Sequence, residues 1–305
     1  VYFILKNFRM NYTSDIKKLP RHFLPKEFSI TTWEALEPWF KKLLERAINS
    51  KPDLDQWLLD MSELEAAVSE DACWRQIKMT CDTTDKTLED AFTFFCMEIQ
   101  PHIQPYADAL NKKLMESPIT AELDQSIFFP YLRSVKKNIE LFREKNIPIQ
   151  AELSVMQQQY GVIAGKMSVE INGKEYTLQQ ATKFLEDPDR KLREEVYRKI
   201  QERRLQDKDE LDKLFSALIT LRQQIAENAG FKNYRDYKFV ELGRFDYTKE
   251  DCSLFHECVK QHVVPLARKI YEHKKTALGL EDFRPWDTEV EPGGLAPLHP
   301  FKDGK

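Results

Sequence analysis

No glycine occurs in residues 1–160, and all nine of the chain's glycines come later. Glycine supplies the positive-φ turns on which strand-to-helix phosphate loops and dinucleotide-binding folds depend. A stretch this long without it, rich in Leu, Glu, Lys and Ala, reads as helices joined by proline-marked turns. The expected fold is therefore all-α, in two helical lobes. The texture changes at one place: Ser168–Ile171 and Glu175–Thr177 alternate around Asn172-Gly173, a strong short-range hairpin signal. One small β-hairpin near 168–177 is expected there, with room for a short strand after Trp286.

Helix starts are marked along the whole chain. Thr31-Thr32-Trp33-Glu34 reads as a capping box opening a helix with Trp33, Leu36, Phe40, Leu43, Leu44 and Ala47 on its core face. Pro52-Asp53 restarts the chain, and Leu54, Trp57, Leu58, Met61, Leu64 and Val68 continue at helical spacing. Further helices are expected from Lys86, over 105–117, over 130–144 and over 151–163, with Pro101 and Pro105 bending or interrupting the one from Lys86. Thr177-Leu178-Gln179-Gln180 is again a capping box, and Asp187-Pro188-Asp189 caps the helix that carries Arg190 and Arg193. Those two arginines are expected to be solvated or paired with nearby acids. The densely charged stretch 199–213 reads as a solvated face or hinge, and the lobe boundary is placed near it.

The segment from Arg222 to Asp287 has the most specific grammar. Leu211, Leu214, Phe215, Leu218, Leu221 and Ile225 share one face of a helix ending at Gly230, where a left-handed cap is expected. Tyr234, Tyr237 and Phe239 form an aromatic cluster, and Thr248 caps a long helix with Glu250 and Asp251 in its first turn. Pro265 should kink that helix, and Gly279 stops it. Arg222, Gly230-Phe231, Asn233-Tyr234-Arg235-Asp236-Tyr237, Val264-Pro265-Leu266 and Arg284-Pro285-Trp286-Asp287, taken in order, resemble the oligoendopeptidase F group of zinc metallopeptidases, relatives of thimet oligopeptidase. Arg190, Arg193 and Tyr197 resemble an upstream segment of the same group, and the similarity extends more weakly back to about Thr31.

That resemblance implies an almost wholly helical shell around a deep channel, and cleavage of internal bonds in short, unstructured peptides by a zinc-bound water. It implies a His-Glu-x-x-His motif as well, and the 305 residues contain none. The expectation is the N-terminal part of such a peptidase: residues 1–9 as an upstream extension, 10–200 as an N-terminal helical lobe, and 201–305 as the incomplete beginning of the catalytic domain. Zinc belongs to the full-length enzyme and none is expected on this segment, which alone should be inactive. A non-catalytic peptide-binding paralogue and a helical interaction protein stay open.

No catalytic, cofactor-binding or metal-binding residue is assigned. His256-Glu257 begins like a zinc motif, but His262 follows six residues later, about 600° around the helix, where two ligands on one face need about 400°. His22, His102, His273 and His299 have no ligand at metal spacing, and no Gly-x-Ser-x-Gly elbow is present. A net charge of −4 asks for neither nucleic acid nor an anionic membrane, and no apolar run approaches the ~20 residues of a span. The five cysteines, an odd count without Cys-x-x-Cys, read as free thiols in a reducing, cytoplasmic setting, so the Asn11-Tyr12-Thr13 sequon is taken as chance. The expected partners are short peptides and the C-terminal half of the peptidase domain.

Overall fold

Short polar side chains set most of the helix starts in the computed structural model, which describes residues 20–293. Thr32 caps α1 (Trp33–Glu45), Ser50 caps α2 (Lys51–Cys81) and Asp85 caps α3 (Lys86–Phe94). A single π turn, Phe95–Ile99, leads into α4 (Gln100–Glu116). Asp124 opens α5 (Gln125–Leu141), and α6 (Ile147–Gly165) follows a short 3₁₀ turn. Then come β1 (Ser168–Ile171), β2 (Lys174–Thr177), α7 (Leu178–Ala181), α8 (Arg190–Gln206), α9 (Lys208–Asn228) and α10 (Tyr234–Glu241). A second π turn, Val259–Val263, joins α11 (Lys249–Cys258) to α12 (Val264–Ala277). The fold is mainly α, and the hairpin is the only sheet among the described residues.

Several expectations need correction. The first cap is Thr32, whose hydroxyl accepts from Ala35 N–H, so Thr31 and Glu34 do not form the box. Pro105 and Pro130 do not begin helices: α4 and α5 start five residues earlier and carry each proline at their sixth position, where a single intrahelical bond is lost. The segment after Thr177 tightens to 3₁₀ geometry over Thr182–Glu186. After Arg284 the chain makes a 3₁₀ turn, Pro285–Asp287, rather than a strand. Pro101 and Pro265 each follow a π turn, in which the N–H of Gln100 reaches Phe95 O and that of Val264 reaches Val259 O. The wider turn relieves the clash between a proline ring and the preceding turn. The readings placed on residues 1–9, the Asn11 sequon and His299 lie outside the described residues, as does the lead-in up to residue 19.

The chain divides into two compact units, and neither is continuous in sequence. One comprises residues up to Gly161 with Ser216–Gly243; the other comprises Val162–Phe215 with Arg244 onward. Residue 200, where the lobe boundary was expected, lies within α8.

In the first unit the core is built on α1, α2 and α4. Leu36, Leu43, Leu54, Trp57, Leu64, Ile99 and Leu114 are fully buried, each contributing on the order of 1.5–3 kcal/mol by leaving water. Trp57 donates its indole N–H to Leu43 O at 2.9 Å. Lys113 on α4 donates to Leu43 O at 3.0 Å and also to Leu44 O and Arg46 O, placing a cation on the orphan carbonyls at the end of α1. The lead-in is held by Glu63, whose carboxylate accepts N–H bonds from His22, Phe23 and Leu24.

The same unit contains the end of α9 and its stop. Gly230 has φ 88°, Phe231 N–H reaches Ala226 O at 2.9 Å and Gly230 N–H reaches Glu227 O at 3.0 Å. That pair of bonds is a Schellman cap. Phe231 and Tyr234 both pack on the buried Tyr237, with centroids 5.7 and 5.8 Å away. Asn146 donates to Ile225 O and accepts from Asn228, pinning this helix end to the start of α6.

In the second unit Val169 and Ile171 of β1 pack against Ala181, Val196 and Ile200. The hairpin pairs Ser168 with Thr177 and Ile171 with Lys174, and Asn172 (φ 53°) and Gly173 (φ 74°) make the turn. Two successive left-handed residues give the turn twist that matches the strands.

Candidate functional site

In the second unit a buried ion pair positions the last described segment. Arg193, on the inner face of α8, is 2% exposed and Asp287 is 0% exposed. Arg193 donates from Nη2 to Asp287 at 2.8 Å, from Nε to Trp286 O at 3.0 Å and from Nη1 to the carbonyls of Asp187 and Pro188. Arg190 adds Nε and Nη2 bonds to Asp287 at 3.1 and 3.0 Å, and Asp287 accepts the Arg284 N–H at 3.0 Å. Burial would raise the Asp287 pKa, but the hydrogen bonds from Arg190, Arg193 and the Arg284 N–H outweigh it and hold the carboxyl below its ordinary value. Trp286 packs on Tyr197 at 5.6 Å with the Arg198 guanidinium 5.3 Å from its ring.

That anchored segment in turn holds α12. Lys274 Nζ donates to Thr288 O at 2.6 Å, and Tyr271 packs on Phe283 at 5.6 Å. Gly279, at φ 64°, ends the helix with a second Schellman pair, Leu280 N–H to Lys275 O and Gly279 N–H to Thr276 O. Thr248 and Asp251 form a reciprocal capping box at the start of α11.

Between those fixed ends, no side chain of α11, the π turn or α12 is buried. Phe255, Val259, Val263, Leu266 and Ile270 follow helical spacing, and Phe255, Val263, Leu266 and Ile270 are each more than half exposed. A stripe of large apolar side chains on one helical face is built to be covered. This uncovered stripe is the candidate functional surface.

His256 and His262 lie on this same helix, both exposed, with the π turn starting between them. Among the described residues no three His, Cys, Asp or Glu side chains come together as a metal cluster. The residues present therefore do not fit a catalytic zinc. The charged pair of arginines was legible only as a motif. Its partner Asp287 lies 94 residues beyond Arg193, and the one hint was an acid beside Trp in Arg284-Pro285-Trp286-Asp287. Arg190 does pair with an acid, as expected, but Arg193 is a buried anchor rather than a solvated side chain.

Residues 23–142 match the peptidase M3 N-terminal domain, and residues 183–292 match peptidase family M3. Among solved structures, a protein assigned as an oligoendopeptidase F from Bacillus anthracis superposes with a TM-score of 0.81 at 20% identity, over 87% of this chain and 49% of its own. A second protein assigned as an oligoendopeptidase F gives 0.81 at 24% identity, over 88% of this chain and 48% of its own. A PZ peptidase A solved with an inhibitor gives 0.81 at 21% identity, over 88% and 48%. The chain thus spans about half the length of these proteins. Comparison with curated proteins finds no match. Two matches to the same family, in family order and on the shared fold, place the chain in peptidase family M3.

Proposed function

We propose that this chain is the N-terminal portion of an oligoendopeptidase-type zinc metallopeptidase that hydrolyses internal bonds of short peptides. The observation that carries the reading is the pair of ordered M3 matches over a fold shared with oligoendopeptidase F structures about twice as long. In this reading residues 10–200 are the N-terminal lobe and 201–305 begin the catalytic domain, a division supported by the second match starting at residue 183. The apolar stripe on α11 and α12 packs against the C-terminal half of the peptidase domain.

Zinc in the full-length enzyme would polarise the scissile carbonyl and lower the pKa of its water. The 305 residues supply no His-Glu-x-x-His, and their histidines do not converge, so no catalytic step is assigned to them. Their contribution is the wall of the channel that admits short, unstructured peptides. Free cysteines among the described residues support a cytoplasmic setting. Among the described residues no helix is long and apolar enough to cross a membrane.

The test uses the purified chain. Zinc is measured by atomic absorption, and a quenched fluorescent peptide is assayed with and without added zinc and chelator. The expected result is no stoichiometric zinc, no cleavage and concentration-dependent self-association. Stoichiometric zinc with chelator-sensitive cleavage by these 305 residues would refute the assignment. A clean monomer would count against the apolar stripe as the face of a missing partner.

A further inference from the structure

A second surface feature lies wholly within the first unit and is used by nothing described above. A groove of roughly 480 Å³ runs between the second half of α2, the π turn before α4 and the second half of α6. Small-ligand sites commonly enclose ~300–1,000 Å³. In a chain with 31% charged residues, the groove's lining contains no Asp, Glu, Lys, Arg or His. Its polar groups are neutral hydroxyls and amides, the latter from Gln76, Gln100, Gln157 and Gln158. Met79 and Phe95, both buried, make an apolar floor, and Tyr160 stands at the rim, 60% exposed.

Gln158 is the telling residue. Both its Oε1 and its Nε2 are buried, and neither has a hydrogen-bond partner. Buried polar groups are normally paired, and one that is not calls for an explanation. A carboxamide offers an acceptor and a donor side by side, the complement of the N–H and C=O of a peptide unit. Its neighbours in the groove repeat the same neutral chemistry, which disfavours a charged ligand because an ion would find no counter-charge there.

We propose that this groove binds a short, uncharged stretch of peptide, with the Gln158 carboxamide pairing with one main-chain peptide unit and an apolar side chain resting on Met79 and Phe95. Naming peptide as the ligand rests on the peptidase reading; the neutral lining and the unpartnered amide do not. The groove is then a holding site away from any bond cleavage.

The groove carries its own reporter. Cys73 lines it and is exposed, while Cys81 and Cys258 are exposed outside its lining. The full chain is alkylated with iodoacetamide in the presence of acetyl-Ala-Leu-Ala-amide, and each cysteine is followed by peptide mass spectrometry. The expected result is saturable slowing at Cys73 alone, with no protection by acetyl-Asp-Glu-Asp-amide. Gln158→Leu should weaken protection about tenfold, the loss of roughly one hydrogen bond, while its melting temperature holds or rises because an unpaired buried amide has gone. Tyr160→Ala, at an exposed rim position, should also weaken protection in a folded protein. The proposal is overturned if Cys73 is not protected, if all three cysteines slow together, or if Gln158→Leu and Tyr160→Ala both protect as wild type does. Cleavage is not read, so a failed peptidase assay and a failed protection assay are separate results.

Discussion

Asp282 and Asp287 both accept from Nη2 of Arg190, at 2.8 and 3.0 Å, yet one is half exposed and the other is fully buried. That contrast makes a controlled test of what anchors the 280–290 segment. Asp287→Ala leaves Arg193 in place at 2% exposure, with carbonyl acceptors from Trp286, Asp187 and Pro188 but without its countercharge. Removing one partner of a buried pair costs about 3–5 kcal/mol, because the surviving charge stays desolvated. Asp282→Ala removes an exposed contact from the same arginine, which keeps Asp287, and solvent already screens that interaction.

Asp287→Ala should therefore lower the urea midpoint of the second unit sharply. It should also speed amide exchange in 190–200 and 282–288 by about 10²-fold or more, if opening follows the lost stability. Asp282→Ala should leave both readouts near wild type. The pH dependence gives the sign independently. The Asp287 carboxyl is held below its unfolded value, so its stabilisation is present above the unfolded pKa of about 4 and is lost as pH falls from there towards the folded pKa. The stability gap between wild type and Asp287→Asn should shrink over that acidic window. Equal losses for Asp282→Ala and Asp287→Ala, or a gap that is flat with pH, would refute the anchor.

Three further outcomes are expected. Gly230→Ala should lower the melting temperature by an amount equivalent to about 1 kcal/mol. An added Cβ there meets nothing within 4 Å, so the cost is the φ of 88° alone, and an unchanged melt would contradict the cap. Thiol labelling should be fast at Cys73, Cys81 and Cys258 and slow at Cys96, where burial both blocks access and pushes the thiol pKa up to about 11; equal labelling of Cys96 in the folded chain would contradict its burial. Leu266→Lys with Ile270→Lys should change stability by no more than about 0.5 kcal/mol per site, since both are exposed, while light scattering shows less self-association. A large loss of stability in that double variant would mean the stripe is already packed.

Local chemistry was legible where it could be satisfied locally. The Asn172-Gly173 turn, the Thr177 and Thr248 boxes and the Gly230 stop each close hydrogen bonds within a few residues, so the residue types announce them. Periodicity carried less. It identified the face of α9, but Phe215, assigned to the core, is 59% exposed while Leu214 and Leu218 are buried. A hydrophobic pattern says which side chains share an arc, and the neighbouring element decides how much of that arc is covered. The proline readings erred for a related reason, since a helix can pass a proline by losing one bond near its start or by widening to a π turn.

The features with most bearing on function were the least legible, and the reason is sequence separation. Nothing around Arg193 distinguishes it from Arg198, which pairs with Glu194 one turn away on the exposed side of the same helix. Only the return of the chain 94 residues later turns one of these arginines into a buried anchor. Gln158 makes the same point within a run of three glutamines, Gln157-Gln158-Gln159. The flanking two are exposed, while the middle one has its amide shut away from water. Identical side chains at successive positions, about 100° apart on one helix, differ in consequence because of what α2 and the π turn bring up against them. A site built by packing has no motif, and the search for one in a chain of this kind has to begin from buried polar groups that the fold leaves unpaired.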